Sequence, residues 1–110
     1  MEIHEQIAVV QYCELRHYPI FAIPNGGSRN KIEAVNLKRQ GVKAGVPDLF
    51  LPVANQGKHG LFIEMKYGKG RTSPAQKEWI ALLKENGYEA EVCYGSGEAI
   101  DLIEKYLTRK

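Results

Sequence analysis

Apolar and polar residues follow two different periods along the chain, and each change of period marks an element. Residues 2–17 contain no interior Gly or Pro, and their apolar residues recur at the three- and four-residue spacing of a helix. Because additional apolar residues widen this stripe, we expect a mostly buried first helix. The run 20–23 is rich in β-forming residues and ends at Pro24, which predicts a short strand and then a turn.

The middle of the chain continues with a helical pattern and then two strand patterns. Asn30 with Glu33 resembles a helix-capping pair, and Gly41 is typical of a helix stop, so a second helix with apolar residues at 34, 35 and 37 is predicted between them. The runs 49–51 and 61–66, separated by a glycine-containing turn, predict a β-hairpin.

The last third of the chain predicts a helix, a strand and a final helix. Ser73 and Pro74 are typical of a helix start, with Gln76 completing a capping box. We expect this helix to bury Trp79, Leu82 and Leu83, residues 88–94 to alternate as a strand, and the final helix to bury the stripe Ala99, Leu102, Ile103, Tyr106 and Leu107. The order α-β-α-β-β-α-β-α predicts a single α/β domain over residues 1–110, a mixed sheet flanked by helices.

Composition narrows the class of protein further. The chain has 110 residues and a net charge of +2, and 44% of its residues are hydrophobic, which excludes a disordered or collagen-like protein and allows one modest core. No apolar run approaches the roughly 20 residues that span a bilayer, and the polar N-terminus is unlike a signal peptide, so we expect a cytoplasmic protein without a membrane partner. Cys13 and Cys93 lack metal-binding spacing and are expected to be buried thiols.

The candidate chemistry lies on the predicted hairpin. Asp48 opens its first strand, and Glu64 and Lys66 project from one face of its second strand because side chains alternate there. Phe62 shares that face, which suggests an interior strand whose end enters a cleft. Two carboxylates brought together in a partly desolvated cleft share a proton or hold a cation, and oxygen ligands favour magnesium or manganese.

Each of these motifs also has an ordinary structural interpretation. Glu-x-Lys on a strand is often only a surface ion pair, and Pro47-Asp48 is often only a turn that enters a strand. Their combination favours a functional site. An acid at the start of the first hairpin strand is followed by Ile-Glu-Met-Lys on the second strand and then by a capped helix.

Pro47-Asp48, followed sixteen positions later by Glu64-Met65-Lys66, resembles the signature of the PD-(D/E)XK nucleases. Within that superfamily, the runs 45–49, 61–66 and 73–79 are similar to the virus-type replication-repair nuclease (VRR-NUC) family, in particular to its stand-alone phage and bacterial members. The resemblance covers nearly the whole chain. It implies a restriction-endonuclease-like fold, similar in architecture to archaeal Holliday junction resolvases.

The resemblance also implies roles for the hairpin residues. Asp48 and Glu64 would bind the catalytic magnesium or manganese ion, and the backbone carbonyl of Met65 would complete its ligand shell. Lys66 would position or activate the attacking water and offset charge on the phosphate. Hydrolysis of a phosphodiester needs this combination of a nucleophilic water and positive charge near the phosphate oxygens.

Two further residues follow from the resemblance but have competing interpretations. Family members carry a glutamate near the start of the first helix, close to the metal, and Glu5 is the position matched to it, with Glu2 and Glu14 as rivals. The family also has a glutamine near the active site at the position of Gln76, although the capping box alone explains that residue.

Positive charge is concentrated in two segments of the chain. Residues 26–45 contain five Lys and Arg residues and one acid, and a second group lies just beyond the predicted catalytic strand. Such groups contact phosphates without reading bases. The residues expected to contact DNA are Asn25, Arg29, Arg39, Lys43, Lys69 and Arg71.

Together these features predict a magnesium- or manganese-dependent, structure-specific DNA endonuclease. A chain with one active site needs a second copy to cut a four-way junction symmetrically, so a homodimeric, Holliday-junction-resolvase-like enzyme is expected. The alternatives are a non-catalytic nucleic-acid-binding module with the same fold and a flap or restriction-type nuclease.

Overall fold

The computed structural model of the chain describes residues 3–24 and 30–108, and it has the predicted order of elements. The helices and strands are α1 (Ile3–Leu15), β1 (Phe21–Ala22), α2 (Lys31–Arg39), β2 (Leu49–Leu51), β3 (Leu61–Lys66), α3 (Pro74–Glu85), β4 (Glu89–Tyr94) and α4 (Gly95–Thr108). The predicted mixed α/β fold is therefore confirmed. No helix in these two ranges is long and apolar enough to cross a bilayer.

The four strands form one mixed sheet in the order β1-β2-β3-β4. β1 pairs with β2 and β2 with β3 in antiparallel fashion, as the predicted hairpin requires. β3 and β4 are parallel, and α3 makes the crossover between them, as parallel neighbours demand. β3 is thus an interior strand, which confirms the expectation drawn from Phe62.

The core lies between one face of the sheet and the helices α1 and α4. Leu61, Ile63 and Met65 of β3 are buried on this face. α4 covers them with Ala99, Ile103 and Tyr106, while Leu102 and Leu107 pack partly buried beside the core, so the predicted stripe of the last helix is confirmed.

The prediction of a mostly buried first helix is wrong. Only Val9 and Cys13 of α1 are buried, whereas Ile3 and Ile7 are 52% and 44% exposed. The reason is that the N-terminal half of α1 borders an open cavity in place of the core, so its apolar side chains face that cavity.

The buried stripe expected on the third helix is also wrong, since α3 contains no buried residue. Leu82 is 46% exposed. On the side of the sheet opposite the core, the rings of Phe50 and Phe62 stack with centroids 4.2 Å apart, and Tyr88 meets Phe62 edge to face. These aromatic contacts bury apolar area within the sheet itself, which reduces the area left for α3 to cover.

Both cysteines are buried free thiols, as predicted. Burial raises the pKa of Cys13 to about 11 and that of Cys93 to about 12, because a thiolate is poorly solvated there.

Gly45 holds the loop before β2 against the start of α3. Its φ is +91°, and a Cβ at this position would lie 2.6 Å from the carbonyl carbon of Ala75. The loop that leads to Asp48 therefore approaches the first turn of α3 more closely than any residue with a side chain permits.

We expect Gly45→Ala to lower the free energy of unfolding by about 2–4 kcal/mol, from left-handed backbone strain plus overpacking. Gly41→Ala is the matched control, because Gly41 also has a positive φ of +101° but has no atom within 4 Å of an added Cβ. It should lose only the strain, about 1 kcal/mol. Urea unfolding of both variants measures the difference, and equal losses would contradict a close approach at Gly45.

Candidate active site

The register of the β2–β3 hairpin sets two carboxylates opposite each other. Leu49 pairs with Ile63, and continuing this antiparallel register by one residue places Asp48 opposite Glu64. Directly opposed residues in antiparallel strands share a face and have Cβ atoms about 4.5–5.5 Å apart. The two acids therefore meet at the point where β2 begins.

Hydrogen bonds from the chain next to β1 and from β3 hold Asp48 at the start of β2. Its backbone carbonyl accepts a hydrogen bond from the Ile23 amide at 2.8 Å, next to β1. Its carboxylate Oδ2 accepts from the backbone amide of Met65 at 2.8 Å. The β2–β3 pairing ends at Leu49 and Ile63, and beyond it the Asp48 side chain supplies the acceptor for the Met65 amide.

Glu64 is the buried charged residue of the part of the chain that the structure describes, with 3% of its surface exposed. Burial, and after it the negative charge of Asp48, raise the pKa of Glu64 from 4.5 to about 8, although the Lys66 ammonium acts in the opposite direction. Its Oε1 atom is buried and makes no hydrogen bond. An acid in this condition either keeps a proton at neutral pH or binds a cation.

Lys66 lies on the same face of β3 as Glu64, as strand alternation predicts. Its Nζ atom is 3.7 Å from Glu64 Oε2, and its side chain is 16% exposed. The pair is therefore not the solvent-exposed ion pair that was the ordinary interpretation of the Glu-x-Lys motif.

Gln76 makes both of the contacts that the sequence left as alternatives. Its side-chain Oε1 accepts from the Ser73 amide at 2.8 Å, and its backbone amide donates to Ser73 Oγ at 3.2 Å, which completes the capping box of α3. Its Nε2 donates to Glu64 Oε2 at 3.1 Å. The cap thus fixes the side chain that in turn orients the buried carboxylate.

The acids and Lys66 line a cavity of about 870 Å³ between β3 and the start of α1. Gln6 also lines it and was missed by the sequence reasoning, which treated α1 as a core helix. The signal was present, since Gln6 shares a helix face with Ile3, three positions earlier, and lies next to Ile7, and both isoleucines line the cavity too.

The structure does not bring Glu5 to this cavity. Its Oε1 atom accepts hydrogen bonds from the amide of Ser96 at 2.9 Å and from the Ser96 hydroxyl at 3.3 Å, at the N-terminus of α4. A carboxylate is favoured there by the free amides and the helix dipole. Of its rivals, Glu14 lies exposed near the other end of α1, and Glu2 lies outside the described residues.

The residues expected to contact DNA fall into three sets. Lys69 and Arg71 are exposed and flank Gly70, which lines the cavity. Arg39 and Lys43 are exposed at and beyond the end of α2, and they do not line the cavity. Asn25 and Arg29 lie outside the described residues.

The donor set fits a hard divalent cation. Glu64 Oε1 is a buried oxygen without a partner, and Asp48 stands opposite it across the hairpin. Within residues 3–24 and 30–108, no three His, Cys, Asp or Glu side chains cluster, so protein carboxylates would supply only part of the shell. Magnesium suits such a site, because it commonly binds one or two carboxylates and keeps several waters.

Comparisons with known proteins assign this mixed sheet flanked by helices to a nuclease-type fold and identify its family. Residues 4–97 match the family described as the VRR-NUC domain. A solved structure described as "VRR_NUC domain protein" is 36% identical, with a TM-score of 0.83 over 96% of this chain and 87% of its own. No curated protein matches the chain. The chain therefore belongs to the VRR-NUC family, which confirms the resemblance found in its motifs.

The raised pKa of Glu64 predicts how stability depends on pH without metal. Between pH 4.5 and about 8 the folded protein retains a proton that the unfolded chain releases, so stability should fall as pH rises, by up to about 1.4 kcal/mol per pH unit. Urea unfolding in EDTA at pH 5, 6.5 and 8.5 measures this slope.

Glu64→Gln should flatten that dependence, because an amide does not titrate. Glu78→Gln, which alters an exposed acid on α3, is the matched control and should keep the wild-type slope. An unchanged slope in the Glu64→Gln protein would show that another group causes the pH dependence.

Proposed function

We propose that this protein is a divalent-metal-dependent endonuclease that hydrolyses phosphodiester bonds in DNA. The observation that carries the proposal is the buried Glu64 carboxylate, which has an unpartnered oxygen, faces Asp48 across the hairpin and lies 3.7 Å from the Lys66 ammonium. Maintaining two acids and an amine in a partly buried cluster is costly for stability, and a bound cation relieves that cost.

Each of these residues has a distinct task in hydrolysis. Asp48 and Glu64 would hold the ion, with the Met65 carbonyl as a further ligand. When bound, the ion supplies positive charge at the phosphate and lowers the pKa of water. Lys66 orients the attacking water and offsets phosphate charge, and Gln76 keeps Glu64 in place by donating to its Oε2 atom.

The cavity has a cationic border suited to the DNA backbone. Lys69 and Arg71 are exposed on either side of cavity-lining Gly70, so a strand that enters the cavity passes close to both. Cations at such positions bind phosphates of any sequence and make the affinity depend on salt.

The proposed substrate is branched DNA, in particular a four-way junction cut by a homodimer. The described residues form one small domain around the hairpin that carries Asp48 and Glu64, which supports recognition of DNA shape over reading of bases. Symmetric cleavage of two strands then requires two chains. Flap cleavage is the second candidate within the same chemistry.

We expect Asp48→Asn, Glu64→Gln and Lys66→Met each to reduce cleavage by at least about 100-fold, because each removes a group that binds or offsets charge in the transition state. DNA binding should remain within a few-fold of wild type. Lys105→Met, which removes an exposed cation on α4, is the matched control. Single-turnover cleavage and fluorescence anisotropy measure the two properties.

Cleavage by Asp48→Asn at the wild-type rate in magnesium would disprove the assignment. A wild-type protein that binds DNA but cuts none of it, with magnesium or manganese present, would instead establish the non-catalytic module.

A panel of junction, flap, splayed-arm and plain duplex DNA at equal salt tests the substrate. We expect the four-way junction to be cut fastest, with symmetric nicks, and EDTA to stop cleavage of every substrate. Faster cutting of the flap would favour the flap nuclease, and equal rates on all four would contradict structure-specific cutting.

A further inference from the structure

A second pocket, of about 330 Å³, adjoins the active-site cavity. It lies between the turn at residues 67–70 and the start of α4, and its lining residues are Glu5, Tyr67, Gly68, Tyr94 and Gly95. Tyr67 lines both this pocket and the cavity that contains Asp48 and Glu64. A ligand in one is therefore next to a ligand in the other.

Sheet register and hydrogen bonds build this pocket at the carboxyl ends of the parallel strands. Tyr94, the last residue of β4, pairs with Lys66, the last residue of β3. The Tyr94 hydroxyl donates to the Gly70 carbonyl at 2.8 Å, and the Gly70 amide donates to the Tyr67 carbonyl at 2.9 Å. The turn is thus tied to Tyr94, so the two tyrosines are held on the same pocket.

Two glycines line the pocket. Gly68 has a φ of +55°, and an added Cβ would have no atom within 4 Å, so the space beside it is free. Gly95 has a φ of +87°, and an added Cβ would lie 3.1 Å from Glu5 Oε1. A side chain at Gly95 would therefore crowd the Glu5 carboxylate that lines the pocket.

The lining chemistry suits a nucleobase and not a phosphate. Tyr94 is 42% exposed and uses its hydroxyl within the protein, which leaves its ring available for stacking. Glu5 is an acceptor that repels phosphate but accepts a hydrogen bond from an exocyclic amine. Both of its contacts with Ser96 use Oε1, so an amine has Oε2 as its acceptor.

We propose that this pocket binds one unpaired, amine-bearing base of the DNA strand that is cut, stacked on Tyr94 and next to Tyr67. The proposal rests on the proposed nuclease function and makes it more specific, since it assigns the enzyme a substrate with an unpaired base close to the scissile phosphate. Stacking on aromatic side chains tolerates many sequences, which is consistent with recognition of DNA structure.

The test compares binding of splayed-arm DNA with binding of a fully paired duplex of equal length, in EDTA so that no strand is cut. Tyr94→Leu removes the ring and should weaken binding of splayed-arm DNA by about 5- to 150-fold, which corresponds to the loss of one stacked base. Tyr94→Phe keeps the ring and should stay within about twofold of wild type. Neither variant should change duplex binding.

Two controls isolate the base and the pocket. Phe21→Leu removes an aromatic ring that is 49% exposed on β1, at the opposite edge of the sheet, and should bind both DNAs as wild type does. Splayed-arm DNA with abasic unpaired positions should bind the wild-type protein about as weakly as intact splayed-arm DNA binds Tyr94→Leu. Excess deoxyadenosine monophosphate should not displace the DNA, because the strand and not a free nucleotide is the proposed ligand.

The proposal would be overturned if wild-type protein bound abasic and intact splayed arms equally well. It would also be overturned if Tyr94→Phe and Tyr94→Leu lost the same amount of affinity for splayed-arm DNA. Displacement of the DNA by free nucleotide at a concentration equal to that of the DNA would contradict it too. These binding results are independent of cleavage. If the wild-type protein cuts DNA in magnesium but Tyr94→Leu binds normally, only the pocket assignment fails. If it cuts no DNA, the nuclease proposal fails whatever the binding data show.

Discussion

The opposition of Asp48 and Glu64 across the β2–β3 hairpin is the interaction on which the rest of the site depends. It brings two acidic side chains together beside an interior strand, which is unfavourable unless other groups stabilise them. Lys66 supplies opposite charge to Glu64, and Gln76 donates a hydrogen bond to it. The Met65 amide donates a hydrogen bond to Asp48. Such an arrangement is unfavourable for a purely structural hairpin. It is suited to holding a cation, which relates the fold of the hairpin directly to its chemistry.

Backbone geometry supports this interaction from outside the hairpin. Gly45 permits the loop before Asp48 to lie against the first turn of α3, and the capping box of that helix aims Gln76 at Glu64. A helix start and a strand start, distant in sequence, therefore determine together how one carboxylate is oriented. The parallel pairing of β3 with β4 then places Tyr94 beside Lys66 at the end of β3. The active site and the second pocket therefore both depend on how these two strands end.

The order of elements and the central motif were predictable from sequence because both depend on short-range pattern. Alternation along residues 61–66, the cap at Ser73 and the glycine stops are local signals, and they locate Glu64, Lys66 and Gln76 correctly. What local pattern does not contain is the surface that each apolar stripe faces. The isoleucines of α1 border a cavity and α3 stays unburied, so hydrophobic spacing alone overestimated burial. Glu5 was matched through the family resemblance, and the cavity is lined instead by its neighbour Gln6, which points about 100° away around the helix axis.

The reactivity of the two buried thiols reports when the core around them becomes exposed to solvent. A thiol whose pKa is about 11 or 12 is almost entirely protonated at neutral pH, and it reacts slowly with alkylating reagents and oxidants. Cys13 belongs to α1 and Cys93 to β4, so each reads the exposure of a different part of the core. Pulse alkylation followed by mass spectrometry therefore distinguishes detachment of the first helix from separation of the sheet, in the unaltered protein and without an added label.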